Sequence, residues 1–320
     1  MKNIATVFPP LLLLVLPNIC LAEQPARINW STATQSYEFD TGRLFGCIDP
    51  YSWYHGIAGL MHRECQVDAV RPRKAFLNAE YYRKPGVEQR MLPRQLSVDR
   101  KTTHELRDGR VLVRFPEESV YGFSMELAYR PHGDAVDMLV TILPSRDVPG
   151  FEIFFASYVC EAFRETWTPL ANQEGEQHWK KLDNRRVVNE IFSVLRRRGE
   201  RVQQSGDRSG KGQASGPRRI VEEQPFSKPI LVARNPDNGS ALVFLCDPYA
   251  TKSLAGQYHG WDTAHDWWFG ADLVAGQPMI ASARLIYRRF KDTSSMFAEV
   301  ENEWADFVSE RAELRRPPAD

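Results

Sequence analysis

The chain has 320 residues, 41 of them basic and 41 acidic, so its formal charge is zero, and 42% of it is hydrophobic. A charge balance without a basic surplus argues against nucleic acid or an anionic membrane as the main partner. The length allows one large all-β domain or two smaller ones.

Residues 1–22 open with Lys2, run apolar from Val7 to Leu16 and close on the small residues Cys20 and Ala22. That is the pattern of a secretory signal peptide. The apolar run is too short to span a bilayer, and nothing later approaches the roughly 18 apolar residues of a membrane helix. The expectation is a soluble protein exported to the periplasm or beyond the cell, without membrane insertion. Asn18 and Ile19 are poor neighbours for a lipidated Cys20. Loss of residues 1–22 removes Lys2 and no acid, taking the formal charge from zero to minus one. It leaves Cys47, Cys65, Cys160 and Cys246, an even number that suits either disulfides in an oxidising compartment or buried free thiols.

The first group with chemistry in it is Trp53, Tyr54, His55, His62 and Glu64, within "WYHGIAGLMHRE". Imidazole and carboxylate suit proton transfer or a metal near neutral pH. His55, His62 and Glu64 are the alternative ligand set for zinc or a similar ion, although their spacing fits no zinc template. Next, "FLNAEYYRKPG" offers Asn78, Tyr81, Tyr82 and Arg83 for recognition of hydroxyls or carboxylates, or simply the exposed face of a strand.

From here alternation dominates. "HELRDGRVLVRF" reads as a hairpin turning at Asp108-Gly109. "GFSMELAY" and "AVDMLVTIL" place Phe123, Met125, Leu127 and Tyr129, then Val136, Met138, Val140 and Ile142, on one buried face about a "RPHGD" turn. "FEIFFASY" is a further strand. "DNRRVVNEIFSVL" spaces Val187, Val188, Ile191, Phe192 and Leu195 as one face of a helix over about 184–195, with Asp183 or Asn184 as cap.

Between Arg196 and Arg219 lie five glycines, eight basic residues and almost nothing apolar. Such a composition cannot build a core and predicts a disordered insertion, or else a basic tether for an acidic polymer. "ILVAR" and "ALVFLC" flank "NPDNGS" as another hairpin, and "IASARLIYRRF" alternates Ala281, Ala283, Leu285 and Tyr287 against Ser282, Arg284, Ile286 and Arg288. "SMFAEVENEWADFVSER" predicts a helix over about 295–311, capped by Ser294 or Ser295.

The stretch "QYHGWDTAHDWWFGADL", residues 257–273, reads as a surface loop that repeats the Tyr-His-Gly triplet of Tyr54-His55-Gly56. It supplies Tyr258, His259, Trp261, Asp262, His265, Asp266, Trp267 and Trp268. Indole faces give sugar C–H surfaces a flat, weakly hydrated platform. No G-x-S-x-G, Walker, H-E-x-x-H, EF-hand or paired C-x-x-C motif is present, which disfavours serine hydrolases, nucleotide enzymes and zinc proteases. No cofactor is expected.

The run from Phe123 to Phe163, "FSMELAYRPHGDAVDMLVTILPSRDVPGFEIFFASYVCEAF", resembles the middle of the aldose 1-epimerase, or galactose-mutarotase-like, β-supersandwich family. The resemblance covers about 40 residues of 320. It implies a large antiparallel β-sandwich with a few peripheral helices and a concave sheet that faces carbohydrate. With Tyr158 aligned to the family's tyrosine, Ala156 stands where the resemblance puts the catalytic histidine, and no counterpart of the family's carboxylate base is found.

These readings together describe an all-β supersandwich over residues 23–320 that binds a carbohydrate or polysaccharide and modifies it, if at all, by epimerase- or lyase-like chemistry. The two Tyr-His-Gly segments would converge on one cleft. His55, His259 and His265 are its catalytic candidates. Trp53, Tyr54, His62, Asn78, Tyr81, Arg83, Tyr258, Trp261, Asp262 and Trp267 are its binding candidates. The alternative is a non-catalytic structural or protein-interaction module of the cell surface, with its aromatics in the core.

Overall fold

A computed structural model describes residues 25–52, 54–83, 102–118, 122–182, 190–199, 219–258 and 263–314. The chain forms three sheets and, among the described residues, one helix. The first sheet is a meander of β1 (Arg27–Ser31), β2 (Ser36–Asp40), β3 (Leu44–Asp49) and β4 (Gly56–His62).

The largest sheet has nine strands in the order β12-β11-β15-β16-β19-β9-β8-β7-β6. These are β6 (Thr103–Arg107), β7 (Arg110–Glu118), β8 (Phe123–His132), β9 (Ala135–Pro144), β11 (Glu165–Ala171), β12 (Gln177–Lys181), β15 (Ile230–Arg234), β16 (Ser240–Cys246) and β19 (Met279–Arg289). Its hairpins fall at the turns that the dipeptides specify. Asp108 and Gly109 both take positive φ, 51° and 68°, which is what a two-residue turn matched to strand twist requires. The predicted inward rows of β8 and β9, Phe123 to Tyr129 and Val136 to Ile142, are each 0–2% exposed.

Facing this layer is a six-stranded sheet, β14-β13-β17-β18-β10-β5. It consists of β5 (Asn78–Arg83), β10 (Glu152–Val159), β13 (Glu190–Arg196), β14 (Arg219–Val221), β17 (Thr251–Tyr258) and β18 (Thr263–Phe269). One continuous apolar core joins the three sheets. Phe155, Trp267, Phe269 and Leu254 come from the six-stranded sheet, Tyr129, Met138, Phe244 and Tyr287 from the nine-stranded one, and Phe39, Ile48 and Leu60 from the meander. Each such side chain contributes on the order of 1.5–3 kcal/mol on burial. The architecture is the expected all-β antiparallel sandwich.

The single helix, α1 (Thr293–Leu314), lies on the outer face of the nine-stranded sheet. Met296, Val300, Trp304 and Phe307 pack onto Ile230, Val232, Val243, Leu245 and Ile286. Its cap is Asp292 rather than Ser294 or Ser295. Asp292 Oδ1 accepts the Ser295 amide at 2.8 Å, while Ser295 Oγ accepts the Asp292 amide at 3.1 Å, a reciprocal closure of two orphan donors.

Several expectations are corrected. The segment predicted as a helix over 184–195 is a strand from Glu190 to Arg196, paired antiparallel with β17; residues 183–189 lie outside the described residues. Its apolar spacing fits both periods, and hydrogen bonding to a neighbour distant in sequence decides for the strand. Arg196 and Arg219, the expected limits of the insertion, belong to β13 and β14; residues 200–218 are outside the described set. Within 257–273, expected as a loop, Gln257 and Tyr258 end β17 and Thr263–Phe269 form β18; residues 259–262 lie outside the described residues. Cys47, Cys65, Cys160 and Cys246 are all free thiols. No helix among the described residues is long and apolar enough to cross a membrane.

Candidate functional site

Strand parity sorts the residues of the six-stranded sheet into two faces. His265, Trp267 and Phe269 alternate with Ala264, Asp266 and Trp268, and β18 pairs with β10 so that Ser157 lies opposite His265 and Ala156 opposite Asp266. The first set faces the core and the second faces away from it.

The core-facing set therefore does not serve a cleft. Trp267 is 3% exposed, packs on Phe155 and Phe269, and donates its Nε1–H to Thr251 Oγ1 at 2.8 Å. Its ring is covered by protein, not offered as a platform. His265 sits edge-on to Phe244, with Nε2 3.2 Å from Thr166 Oγ1. Burial holds its pKa down at about 3, so it is neutral at physiological pH.

His55 also points inward, against Phe115. Its Nε2 accepts the Ala79 amide at 3.3 Å, a donor freed where β5 bulges between its pairings to Phe154 and Phe155. Burial lowers its pKa to about 4. Among the described residues neither His55 Nδ1 nor His265 Nδ1 has a hydrogen-bond partner.

His62 lies elsewhere, beside Tyr287, with Nε2 3.2 Å from Asp134 and Nδ1 accepting the Glu64 amide. The Asp134 hydrogen bond raises its pKa to about 9. Seven residues of extended chain put His55 and His62 about 23 Å apart along the strand. Accordingly, no three metal-ligating side chains come together among the described residues, and His55, His62 and Glu64 do not form a ligand set.

The face turned away from the core is different. Asn78, Ala156, Asp266 and Ala255 form one register row across β5, β10, β18 and β17. Ala156 separates Asn78 from Asp266 by two strand spacings, about 10 Å between backbones, and sets only a methyl group between a carboxamide and a carboxylate. Both polar side chains are 0% exposed.

Aromatic groups wall this row. Phe154 and Trp268 stack at 4.6 Å and 12° on one side, and Tyr158 meets Tyr54 edge-on at 5.3 Å on the other. Lys74 Nζ stands 3.6 Å from the Tyr54 ring centre and 4.7 Å from that of Tyr158, within cation–π range.

Of the binding candidates, Tyr54 and Asn78 are thus brought to one face. Tyr81 and Arg83 are in β5 and Tyr258 ends β17, but their side chains, like the whole of Trp53, His259, Trp261 and Asp262, lie outside the described residues. Tyr54 and Tyr258, the first residues of the two Tyr-His-Gly segments, do approach one end of β10. Tyr54 touches Tyr158, whose register partner Ala264 is next to Thr263, and Thr263 pairs with Tyr258.

Tyr158, Trp268, Phe154 and Lys74 were not singled out from sequence as site residues. The signal that reveals them is the alternation Ala264, Asp266, Trp268 against His265, Trp267, Phe269, together with the small residues Ala156, Ala255 and Ala264 in neighbouring strands.

The fold that carries this face is shared with galactose-mutarotase-like proteins. The galactose mutarotase related enzyme from Lactobacillus acidophilus aligns with a TM-score of 0.51 and 8% identity, over 80% of this chain and 98% of that one. The Slr1438 protein from Synechocystis sp. PCC 6803 aligns with a TM-score of 0.53 and 11% identity, over 91% and 100%. At these identities the likeness shows the fold alone. No protein-family model and no curated protein matches the sequence.

Proposed function

We propose that the outer face of the six-stranded sheet binds a carbohydrate, in a protein exported through its first 22 residues. The observation that carries the reading is the row Asn78–Ala156–Asp266, a buried carboxamide and a buried carboxylate on either side of an alanine, walled by Tyr54, Tyr158 and Trp268. The half-buried rings of Tyr54 and Trp268 are what this face offers to the apolar side of a pyranose, with the carboxamide and the carboxylate fully buried in the row between them. The mutarotase-like fold supports a sugar as ligand through its structural relative from Lactobacillus acidophilus, since fold by itself does not assign function. Ala156 has no titratable group, and Asp266 is the carboxylate in this row that an epimerase- or lyase-like proton transfer would call on.

Glycan-array binding and calorimetry on wild type, Asp266→Asn and Trp268→Ala test this, with melting temperature measured on the same samples. The expected result is loss of glycan binding in both variants with folding retained in at least one. A wild type that binds no glycan, or folded variants that bind as wild type, would favour the interaction-module reading. Export is tested separately by N-terminal sequencing of protein recovered outside the cytoplasm, which should begin at Glu23.

A further inference from the structure

On the opposite side of the molecule, the last turns of α1 meet the part of the nine-stranded sheet that the helix leaves open. A cavity of about 260 Å³ forms there, lined by Arg110, Ala128, Arg130, Asp137, Leu139, Glu310 and Arg311. With Arg284 behind it, four guanidinium groups face two carboxylates. The pairing leaves a positive surplus in the cavity. Asp137 is saturated, taking Arg284 Nε at 2.6 Å and Nη2 at 3.2 Å, Arg130 Nη2 at 3.0 Å and His132 Nε2 at 3.1 Å. Contacts with His132 and Arg284 hold its carboxyl below the usual range in spite of burial. Glu310 is taken by Arg284 at 2.7 Å.

That leaves Arg110 and Arg311 with no carboxylate partner among the described residues, while Arg130 Nε is buried and has no acceptor. Arg311 is not a solvated surface cation either. It is half-buried, with its guanidinium 5.6 Å from the Phe307 ring, which Arg284 approaches at 5.7 Å. Burial pulls its pKa down from the usual arginine value. A guanidinium that has lost water and feels Asp137, Asp247 and Glu310 only through space, without an ion pair to any of them, retains unused donors in a planar fork that matches an oxyanion.

We propose that this cavity is a binding site for an oxyanion group, a carboxylate, phosphate or sulfate carried by a small ligand, held between Arg311 and Arg110 with Arg130 Nε as a further donor. The site is separate from the sugar-facing sheet and does not rest on that assignment.

The test is calorimetric titration of the full chain with sodium sulfate, sodium phosphate and sodium glucuronate, each against a sodium chloride blank, on wild type, Arg110→Gln and Arg311→Gln. Saturable binding that weakens at least about tenfold in each variant is expected, the loss of one charge-assisted bidentate contact. Binding of the tetrahedral anions alone would assign a phosphate or sulfate ligand, and binding of glucuronate alone a carboxylate. Arg110 is exposed and outside the core, so Arg110→Gln decides the matter if Arg311→Gln fails to fold. Absence of saturable binding by all three anions, or equal affinity in wild type and folded variants, overturns the proposal.

Discussion

Replacing His265 with glutamine should flatten the acid side of the stability profile. In the folded protein the His265 imidazole titrates at about 3, against 6.5 when solvated. The folded state therefore binds fewer protons than the unfolded chain between those values, and stability must fall as pH drops below about 6.5. At about pH 5 the unfolded imidazole is mostly charged and the buried one is not. The difference is about 1.5 pH units at 1.36 kcal/mol each, or ~2 kcal/mol. His55, lowered to about 4, adds a similar ~2 kcal/mol by the same reasoning. The two together approach the margin by which a domain is stable. Urea unfolding followed by tryptophan fluorescence at about pH 7.5 and about pH 5 measures it. The variant should lose ~2 kcal/mol less than wild type between the two conditions, whatever its stability at the upper one. Because His62 and the carboxylates are common to both proteins, they cancel. An identical loss in both, or an NMR titration of His265 near its solvated value, would refute the argument.

Other outcomes follow from single contacts. His62, raised to about 9 by Asp134, contributes stability that is whole below its unfolded value near 6.5 and lost as pH climbs through about 9; Asp134→Asn should remove this alkaline loss in a melting-temperature series. Trp267→Ala should cost about 3–5 kcal/mol in denaturant unfolding because its ring fills the core, whereas Trp268→Ala, half-buried on the other face, should cost less. Equal costs would contradict the face assignment. In denaturant without reductant, Ellman's reagent should find all four of Cys47, Cys65, Cys160 and Cys246 as thiols; a deficit of two would reveal a disulfide. Without denaturant, the buried Cys246, its pKa raised by burial, should react far more slowly than in the unfolded chain.

Seven strands of the nine-stranded sheet were readable from the sequence, β6 to β9 and β19 by alternation and β15 and β16 by apolar runs, with turns that carry Asp-Gly, His-Gly-Asp and Asn-Gly; β11 and β12 were not. The inward rows of β8 and β9 needed no knowledge of partners. The six-stranded sheet hid itself. Both faces of β18 carry large or polar side chains, so "TAHDWW" suggests an exposed loop, and parity matters only once the register with β10 is known. A shift of one residue would exchange Trp267 for Trp268 and His265 for Asp266 between core and outer face. That register is set by contacts between residues more than 100 positions apart, which no local pattern encodes. β13 failed for the same reason: Ile191 to Leu195 satisfies a helical stripe, and only β17 says otherwise.

The two outermost strands β14 and β13 run parallel, with Ile191 opposite Arg219 and Val194 opposite Val221. A parallel neighbour cannot be reached by a tight turn; the chain must return the length of β13 before it starts again. At about 3.3 Å per residue the straight return alone takes about six residues of extended chain, and with a reversal at each end the whole crossover takes about a dozen. The sequence provides 22 between Arg196 and Arg219. Part of the connection is thus surplus to the topology, and a deletion that leaves a dozen or so residues would still let β14 dock. The same slack makes this position a permissive port, where a purification tag, a fluorophore site or a whole folded domain could be spliced in without asking either sheet to move.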